Sequence, residues 1–367
     1  LSAAGHQPML DANGNCIVFN GEIYNYLDLK KSLSDESFIG DSDTEVLMKL
    51  LAKNGLNAVN SLNGMFAFAY WNNNNKSLSL VRDRIGKKPL YYTIQNGILA
   101  FSSEVRALLS LPWVNAIPDD ESLYHFLTFN QVSSPKTLFK NIYKLAPASI
   151  LTIDANGVDE IKTYWDIEYK AIQENDENAI AQRINDELIK AISLRMVSDV
   201  PVGAFLSGGV DSSAIVAYMH QLGNRNIKTY SVGFSNQPDY TELKYAEKIA
   251  VKYGTEHIEK IVQPNDLREL LPLMAEVFDD PLADATAIPI WFVSKLAREN
   301  GTIVVQTGDG SDEIFSGYKN WARYAKLYPY FHQYRKLPGW LKQSIASLVQ
   351  DDSSPKSEIL QRAVKNE

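Results

Sequence analysis

The chain has 367 residues, 45% of them hydrophobic and 22% charged, with a net charge of −8 and a pI near 5.3. That length supports two domains with cores of their own, and the acidic balance argues against nucleic acid as the main partner. No apolar run reaches the roughly 18 residues of a membrane span and no signal peptide opens the chain, while a single cysteine, Cys16, excludes an internal disulfide framework and fits a reducing cytoplasm.

Up to about Glu168, short apolar runs alternate with turn signals: Asn13-Gly14-Asn15, the four asparagines 72–75, Gln95-Asn96-Gly97 and Asp154-Ala155-Asn156-Gly157. Cys16-Ile17-Val18-Phe19 reads as a strand, with Cys16 a small buried packing residue. Asp43-Thr44-Glu45 opens a helix that carries Val46, Leu47, Leu50 and Leu51 on one side. Residues 65–71 and 78–81 read as a hairpin across the asparagine run. Meandering strands with flanking helices give an antiparallel α+β layer fold.

Residues 168–181 are polar and charged, as a linker running into a helix would be. Beyond about residue 179 helix and strand alternate. Strands are expected over 202–206, 228–234, 257–262 and 302–306. Helices are expected over 213–222 (Ile215, Met219 and Leu222 at helical spacing), over 240–253 (Leu243, Ala246, Ile249, Ala250 and Tyr253 on one face) and over 285–299, with Pro289 near the start. Such alternation means a parallel sheet covered on both faces. Past Tyr318 the chain reads as aromatic-rich helices ending in a polar stretch to Glu367. The five histidines, His6, His125, His220, His257 and His332, show no metal-ligand spacing, and each reads as a surface or packing residue.

Two loops carry the chemistry. Ser207-Gly208-Gly209-Val210-Asp211-Ser212-Ser213 lies between a strand and a helix. Its glycines let the backbone approach a ligand closely, and the helix behind it offers free N–H groups to an anion. Asp211 would repel a phosphate unless a cation lies between them, so it reads as a Mg2+ ligand, and the loop as a site for the pyrophosphate of ATP. No G-x-x-x-x-G-K-[ST] occurs, so this is not a Walker loop. The plain alternative is a Gly-rich strand-to-helix turn with a capping serine. The second loop, residues 307–318, follows another buried strand and carries Asp309, Asp312 and Glu313. Ligands of open parallel sheets bind beyond the carboxyl ends of the strands. Two loops from one sheet would therefore converge, letting Asp211 and Asp312 share the metal, although helix-dipole complementation also accounts for Asp312 and Glu313.

These loops, together with Gly5-His6-Gln7-Pro8-Met9, Asn20-Gly21-Glu22-Ile23-Tyr24-Asn25, Ser42-Asp43-Thr44-Glu45 and the run from Arg82 to Tyr91, resemble the glutamine-dependent asparagine synthetases, in the branch often found with polysaccharide biosynthesis genes. The resemblance runs from the first residue to about Tyr324. It implies an α+β Ntn-type glutaminase sandwich over residues 1–168, followed by an α/β parallel-sheet ATP-pyrophosphatase domain over 169–367. Before a segment like Gly5-His6-Gln7-Pro8, family members carry about a third of the glutaminase domain, including an N-terminal cysteine nucleophile and an arginine for the glutamine carboxylate. With Leu rather than Met at position 1, the chain therefore reads as cut at its start. Cys16 is no substitute, because it sits inside a strand and an N-terminal nucleophile uses its own α-amino group as base.

The resemblance makes Asn20 and Gly21 an oxyanion-hole pair. It makes Glu22 and Asp43 the acids that hold the ammonium of glutamine, and the run from Arg82 to Lys88 structural, near the interface between the halves. Taken alone, Asn20-Gly21 would be a tight turn and Asp43 a helix N-cap. In the second half the resemblance implies that ATP activates a carboxylate as an acyl-adenylate, with loss of pyrophosphate, and that ammonia then attacks it. Ser207, Gly208, Gly209, Asp211 and Ser212 would hold pyrophosphate and Mg2+, with Asp312 as the second metal acid. Val232, with Phe205 or Leu206, would contact adenine. Thr307 and Gly308 would contact the nucleotide through their backbone, and Asp309 would assist adenylate formation.

Two departures stand out. The family's arginine for aspartate is missing from the stretch Asp280-Pro281-Leu282-Ala283-Asp284-Ala285-Thr286-Ala287-Ile288-Pro289, which puts aspartate in doubt as acceptor. The family's catalytic lysine lies downstream of the last residue, since Lys319 follows the second loop too closely, so the chain also reads as cut at its end. The leading expectation is a cytoplasmic glutamine-hydrolysing amide ligase that makes asparagine from aspartate, uses ATP and Mg2+, and has neither membrane nor nucleic acid as partner. A homodimer is left open. The alternatives are an amidotransferase on another carboxylate, such as a uronic acid, and a non-catalytic nucleotide-binding descendant. Asp211, Asp309 and Asp312 argue against the last, because a scaffold needs no metal-binding acids.

Overall fold

The computed structural model describes residues 5–170, 175–235, 242–281 and 283–342. The chain forms two compact units, Leu1–Gln306 and Thr307–Glu367. Within the first unit an N-terminal and a C-terminal half meet on either side of the polar segment before residue 177.

The N-terminal half is built on a six-stranded antiparallel sheet. It takes β1 (Met9–Leu10), β2 (Cys16–Ile23), β3 (Gly64–Asn72), β4 (Ser77–Arg82), β8 (Ser149–Asp154) and β9 (Gly157–Thr163) in the order β1-β2-β3-β4-β8-β9. The side-chain alternation of β3 sorts two cores. Phe66, Phe68 and Tyr70 face α1 (Tyr26–Ser32) and α2 (Asp43–Asn54), where Val46, Leu47, Leu50 and Leu51 are all buried. Ala67 and Ala69 face the other way, onto a three-stranded sheet of β5 (Tyr91–Gln95), β6 (Ile98–Ser102) and β7 (Tyr143–Lys144), through Leu90, Tyr92 and Leu145. The small residues let the two sheets approach. Beyond the second sheet, α3 (Val105–Leu109) covers Tyr91 and Ala100. The layers therefore run helix, sheet, sheet, helix, which is the α+β sandwich the sequence resemblance implies. A further helix, α4 (Asp120–Phe129), precedes β7.

The C-terminal half opens with α5 (Glu177–Arg195) and has an all-parallel sheet in the order β12-β11-β10-β13. Its strands are β10 (Val202–Phe205), β11 (Lys228–Phe234), β12 (Glu256–Val262) and β13 (Val304–Gln306). One face packs Ala204 and Leu206 against Val216 and Met219 of α6 (Val210–Gln221) and Ala246 and Ala250 of α7 (Leu243–Tyr253). The opposite face packs Tyr230 and Val232 against Val293, Leu296 and Ala297 of α9 (Ala287–Glu299), and Val262 against Leu270 of α8 (Pro264–Val277). Helices thus cover both faces, as the alternation of elements indicates. In the second unit, a short α10 (Ser311–Phe315) is followed by the aromatic-rich α11 (Lys319–Arg335). The expected polar tail beyond residue 342 and the start of the helix expected at 240 lie outside the described residues.

Several sequence expectations shift. Helix α6 starts at Val210, three residues early, because Gly209 has an extended backbone and serves as N-cap. Its buried positions are Ser212, Val216 and Met219, and Leu222 lies outside the helix and is exposed. Cys16 is half-buried rather than buried. Ser42, not Asp43, caps α2, its side chain accepting from Glu45 N.

The run from Arg82 to Lys88 is structural. Arg82 donates to the carbonyls of Gly86, Lys88 and Leu145, and Arg84 to those of Asn60 and Leu62. Between them, Asp83 is 1% exposed and accepts from four backbone N–H groups, those of Phe66, Ile85, Lys87 and Lys88, at 2.9–3.2 Å. Replacing Asp83 with Ala strands these donors, of which the Phe66 N–H is buried and the others part-buried. Each stranded donor costs on the order of 1–3 kcal/mol, so chemical denaturation of Asp83→Ala should show a loss of about 3 kcal/mol or more.

Candidate active sites in the two halves

The first site grows from the end of β2 and the start of α2. Ile23 N–H donates to Asp43 Oδ2 at 2.9 Å, tying the first residue of the helix to the last of the strand. Glu22 thereby lies in the field of Asp43. Loss of solvation, and then the charge of Asp43, raise the Glu22 pKa above the usual carboxylate range. Burial raises that of Asp43, against the hydrogen bonds from Ile23 and Thr44 that lower it. Two carboxylates held this close at some cost in ionisation make a receptor for a cation such as an ammonium.

Asn20 is exposed beside them, and its Nδ2 donates to Ser103 Oγ at 3.1 Å. Gly21 pairs with Phe66, and a Cβ at Gly21 would overlap the Met65 carbonyl, so glycine is required there by the close approach of β3. Asn20, Gly21, Glu22 and Asp43 thus share one end of the sheet. Cys16 lies at the opposite end of β2, and burial pushes its thiol pKa up, which disfavours the thiolate. The C-terminal half also reaches this region. Arg195, the last residue of α5, stacks over the Tyr24 ring at 4.5 Å. Asp199 adds a further negative field on Glu22 and Tyr26. Neither contact has a local sequence signal, because both join residues far apart in the chain.

The second site lies at the carboxyl end of the parallel sheet. After β10 the chain turns through Ser207-Gly208-Gly209 into α6. Gly208 has φ +83°, and a Cβ there would come within 2.5 Å of Ala246 N and of Tyr245 Cβ. The close approach of α7 therefore sets this loop. Ser212 is 8% exposed and works inside the loop: its Oγ is 2.9 Å from Ser207 Oγ and accepts from Ser207 N. Ser207 Oγ in turn accepts from Gly209 N at 3.2 Å. Ser213 Oγ is buried with no hydrogen-bond partner among the described residues. Asp211 lies in the first turn of α6.

Leu206 is buried in the core, with its N–H on the Tyr230 carbonyl and its own carbonyl accepting from Ser231 Oγ. It supports the loop from beneath rather than offering a surface to a base. Phe205 and Val232 are half-buried on the α9 face of the sheet. Beyond β11 and β12 opens a hollow of about 510 Å3, lined by Phe234, Val262, Leu267, Ile288 and Pro289 among others, and no charged side chain is among the described residues that form it. β13 ends beside β10, with Gln306 in register with Ala204, and leads into Thr307 and Gly308.

In the second unit Asp312 and Glu313 occupy the first turn of α10, and Tyr318 OH donates to Glu313 Oε1 at 2.7 Å, which lowers the Glu313 pKa. Among the described residues, no three His, Cys, Asp or Glu side chains gather as a metal cage. Mg2+ needs none, being held by one or two carboxylates and the phosphates themselves. Asp211 and the orphaned Ser213 hydroxyl fit that kind of partly ligand-built site. No helix among the described residues is long and apolar enough to cross a membrane.

Comparison with known proteins places the chain in two families. Residues 1–165 match the glutamine amidotransferase domain family, and residues 183–366 match the asparagine synthase family. Asparagine synthetase [glutamine-hydrolyzing] 1 of Bacillus subtilis is 39% identical over 332 residues, which is 90% of this chain and 51% of that protein. Putative asparagine synthetase [glutamine-hydrolyzing] 2 of Methanocaldococcus jannaschii is 36% identical over 87% of this chain and 64% of its own length. Amidase chry2 of Gibberella zeae is 31% identical over 87% of this chain and 50% of its own. The chain thus spans between half and two thirds of the length of these relatives.

The raised Asp43 pKa has a testable sign. A carboxyl whose folded pKa is raised opposes folding once pH exceeds that pKa, and its penalty vanishes below the unfolded value. Asp43→Asn keeps an oxygen for Ile23 N–H, so it should raise the melting temperature at neutral pH. The gain should disappear as pH falls through the carboxylate range, followed by calorimetry at stepped pH.

Proposed function

The chain belongs to the asparagine synthase family, and from that premise we propose that it serves an ATP-dependent amide ligase that converts aspartate to asparagine with ammonia from glutamine. The reaction would pass through an acyl-adenylate and release AMP and pyrophosphate. The observation that carries this reading is the Ser207–Ser213 loop, with its glycine pinned by α7, its helix N-terminus open and one serine hydroxyl unpartnered. Such a cradle suits a polyphosphate.

In this reading Ser207, Gly208 and Gly209 would line the phosphates, with the Ser207 and Gly209 N–H groups already engaged by Ser212 Oγ and Ser207 Oγ, while Ser212 holds the loop in shape. Asp211 would hold Mg2+, which when bound screens the phosphate charge, and in the second unit Asp312 would be a metal acid by the family resemblance. Phe205, Val232 and the hollow beyond β11 would take the base. In the second unit, Thr307 and Gly308 would offer backbone contacts to a nucleotide and Asp309 would assist adenylate formation. In the N-terminal half, Glu22 and Asp43 would grip the ammonium of glutamine, and Asn20 Nδ2 with Gly21 N–H would face the oxyanion. Cys16 would play no part in the chemistry.

One observation favours a second acceptor. The stretch 280–289 carries no arginine, and its first acid, Asp280, pairs with Lys144 rather than with anything a substrate carboxylate could use. Without a fork of guanidinium donors aspartate loses its natural clamp. An amidotransferase on another carboxylate, such as a uronic acid, accommodates this, and the amidase named among the relatives shows that names in the family extend beyond asparagine.

The test uses the full-length gene product with Mg-ATP and glutamine, following pyrophosphate release and product mass as aspartate is added. Pyrophosphate that depends on aspartate, with asparagine formed, is the expected result. Glutamine hydrolysis with pyrophosphate released only on addition of a sugar acid would move the assignment to the second acceptor. Gly208→Ala should abolish pyrophosphate release, because its methyl group would force the loop away from α7, while glutamine hydrolysis persists.

A further inference from the structure

The loop between α8 and α9 is held by residues of the opposite half. Asp279, with a side chain 10% exposed, receives Arg106 twice: Nε donates to Oδ1 at 2.8 Å and the backbone N–H to Oδ2 at 3.0 Å. A second guanidinium nitrogen lies 2.7 Å from Oδ1 and also donates to the Val277 carbonyl at 2.8 Å. Asp279 thus both pairs with Arg106 and satisfies an N–H in the first turn of α3. Next to it, Asp280 Oδ2 meets Lys144 Nζ at 2.5 Å, the two side chains 13% and 15% exposed. Lys144 also donates to the Val132 carbonyl, and Ala283 N–H to the Asn130 carbonyl at 2.9 Å. Arg106, Asn130, Val132 and Lys144 all belong to the N-terminal half. The loop then runs through Asp284, which accepts from Thr286 N–H, directly into the residues that wall the 510 Å3 hollow: Ala285, Thr286, Ile288 and Pro289.

We propose that Arg106 and Lys144 are positioning residues for that hollow, so that the glutaminase half sets the shape of a ligand pocket in the synthetase half. The reason is electrostatic. Two adjacent carboxylates withdrawn from water are tolerable only while each keeps its cation. The loop therefore has one favourable place, against α3 and β7, and the first turn of α9 follows it. A loop without these ties has no fixed place against α3 and β7, and the pocket wall loosens with it whether or not the acid itself remains. The functional part rests on the proposed use of the hollow for the nucleotide base.

The test compares wild type, Arg106→Ala, and the double variant Arg106→Ala with Asp279→Ala, all in the full-length gene product. The double variant removes the stranded charge, so a purely structural role would be rescued in it, whereas a positioning role would not. Two quantities are read: hydrogen exchange over residues 285–290, with β3 as internal reference, and Mg-ATP affinity by calorimetry. We expect faster exchange over 285–290 and Mg-ATP binding weaker by about tenfold in both variants, with exchange in β3 and the rate of glutamine hydrolysis unchanged. Unchanged exchange in the double variant overturns the proposal, and so does faster exchange with unchanged Mg-ATP affinity. A wild-type protein that binds no Mg-ATP would sink the ligase reading instead, and the exchange comparison alone would then decide whether the clamp holds the pocket wall.

Discussion

A carboxylate withdrawn from water persists only where donors or cations surround it, and three junctions of the first unit are arranged around such groups. Asp83 gathers four backbone N–H groups and so fixes the turn after β4. Asp43 takes the Ile23 N–H and binds strand β2 to helix α2. Asp279 and Asp280 take Arg106 and Lys144 and bind the two halves to each other. The differences among them follow from the surroundings. Asp83 is encircled by donors. Burial raises the pKa of Asp43 despite the donors it has, and loss of solvation with the charge of Asp43 raises that of Glu22.

The parallel sheet obeys a different constraint, that of close approach. Gly208 is where the loop after β10 passes under α7, and nothing larger fits. With the backbone pinned there, Ser212 can knit Ser207 to the helix while Ser213 is left with an unused hydroxyl. The loop is thereby set before any ligand arrives. Preorganisation of this kind is what a site for a highly charged phosphate requires, because donors that need no rearrangement lose least on binding.

Much of this was legible in the order of residues. The hairpin across the asparagine run and the helical stripe of α2 were both legible, and both hold in the structure. The strand–loop–helix around Ser207 was legible from its glycines, although the helix begins at Val210 because glycine serves as its cap, a weaker signal than the serines that follow. Roles that depend on distant partners were not legible. Asp83 reads as one acid in a basic run, and only the fold shows four N–H groups converging on it. Leu206 reads as a residue beside the loop, yet the packing of α6 and α7 turns it inward. The acids 279 and 280 find their cations more than a hundred residues upstream, a pairing no local pattern encodes.

The central claim is that the second half activates a carboxylate by adenylation. Aspartate labelled with 18O in its side-chain carboxylate, supplied with Mg-ATP and glutamine to the full-length gene product, tests it most directly. We expect one labelled oxygen to appear in AMP, because the acyl-adenylate joins that oxygen to the α-phosphate and amide formation leaves it there. Label in inorganic phosphate, with ADP as the nucleotide product, would contradict the account.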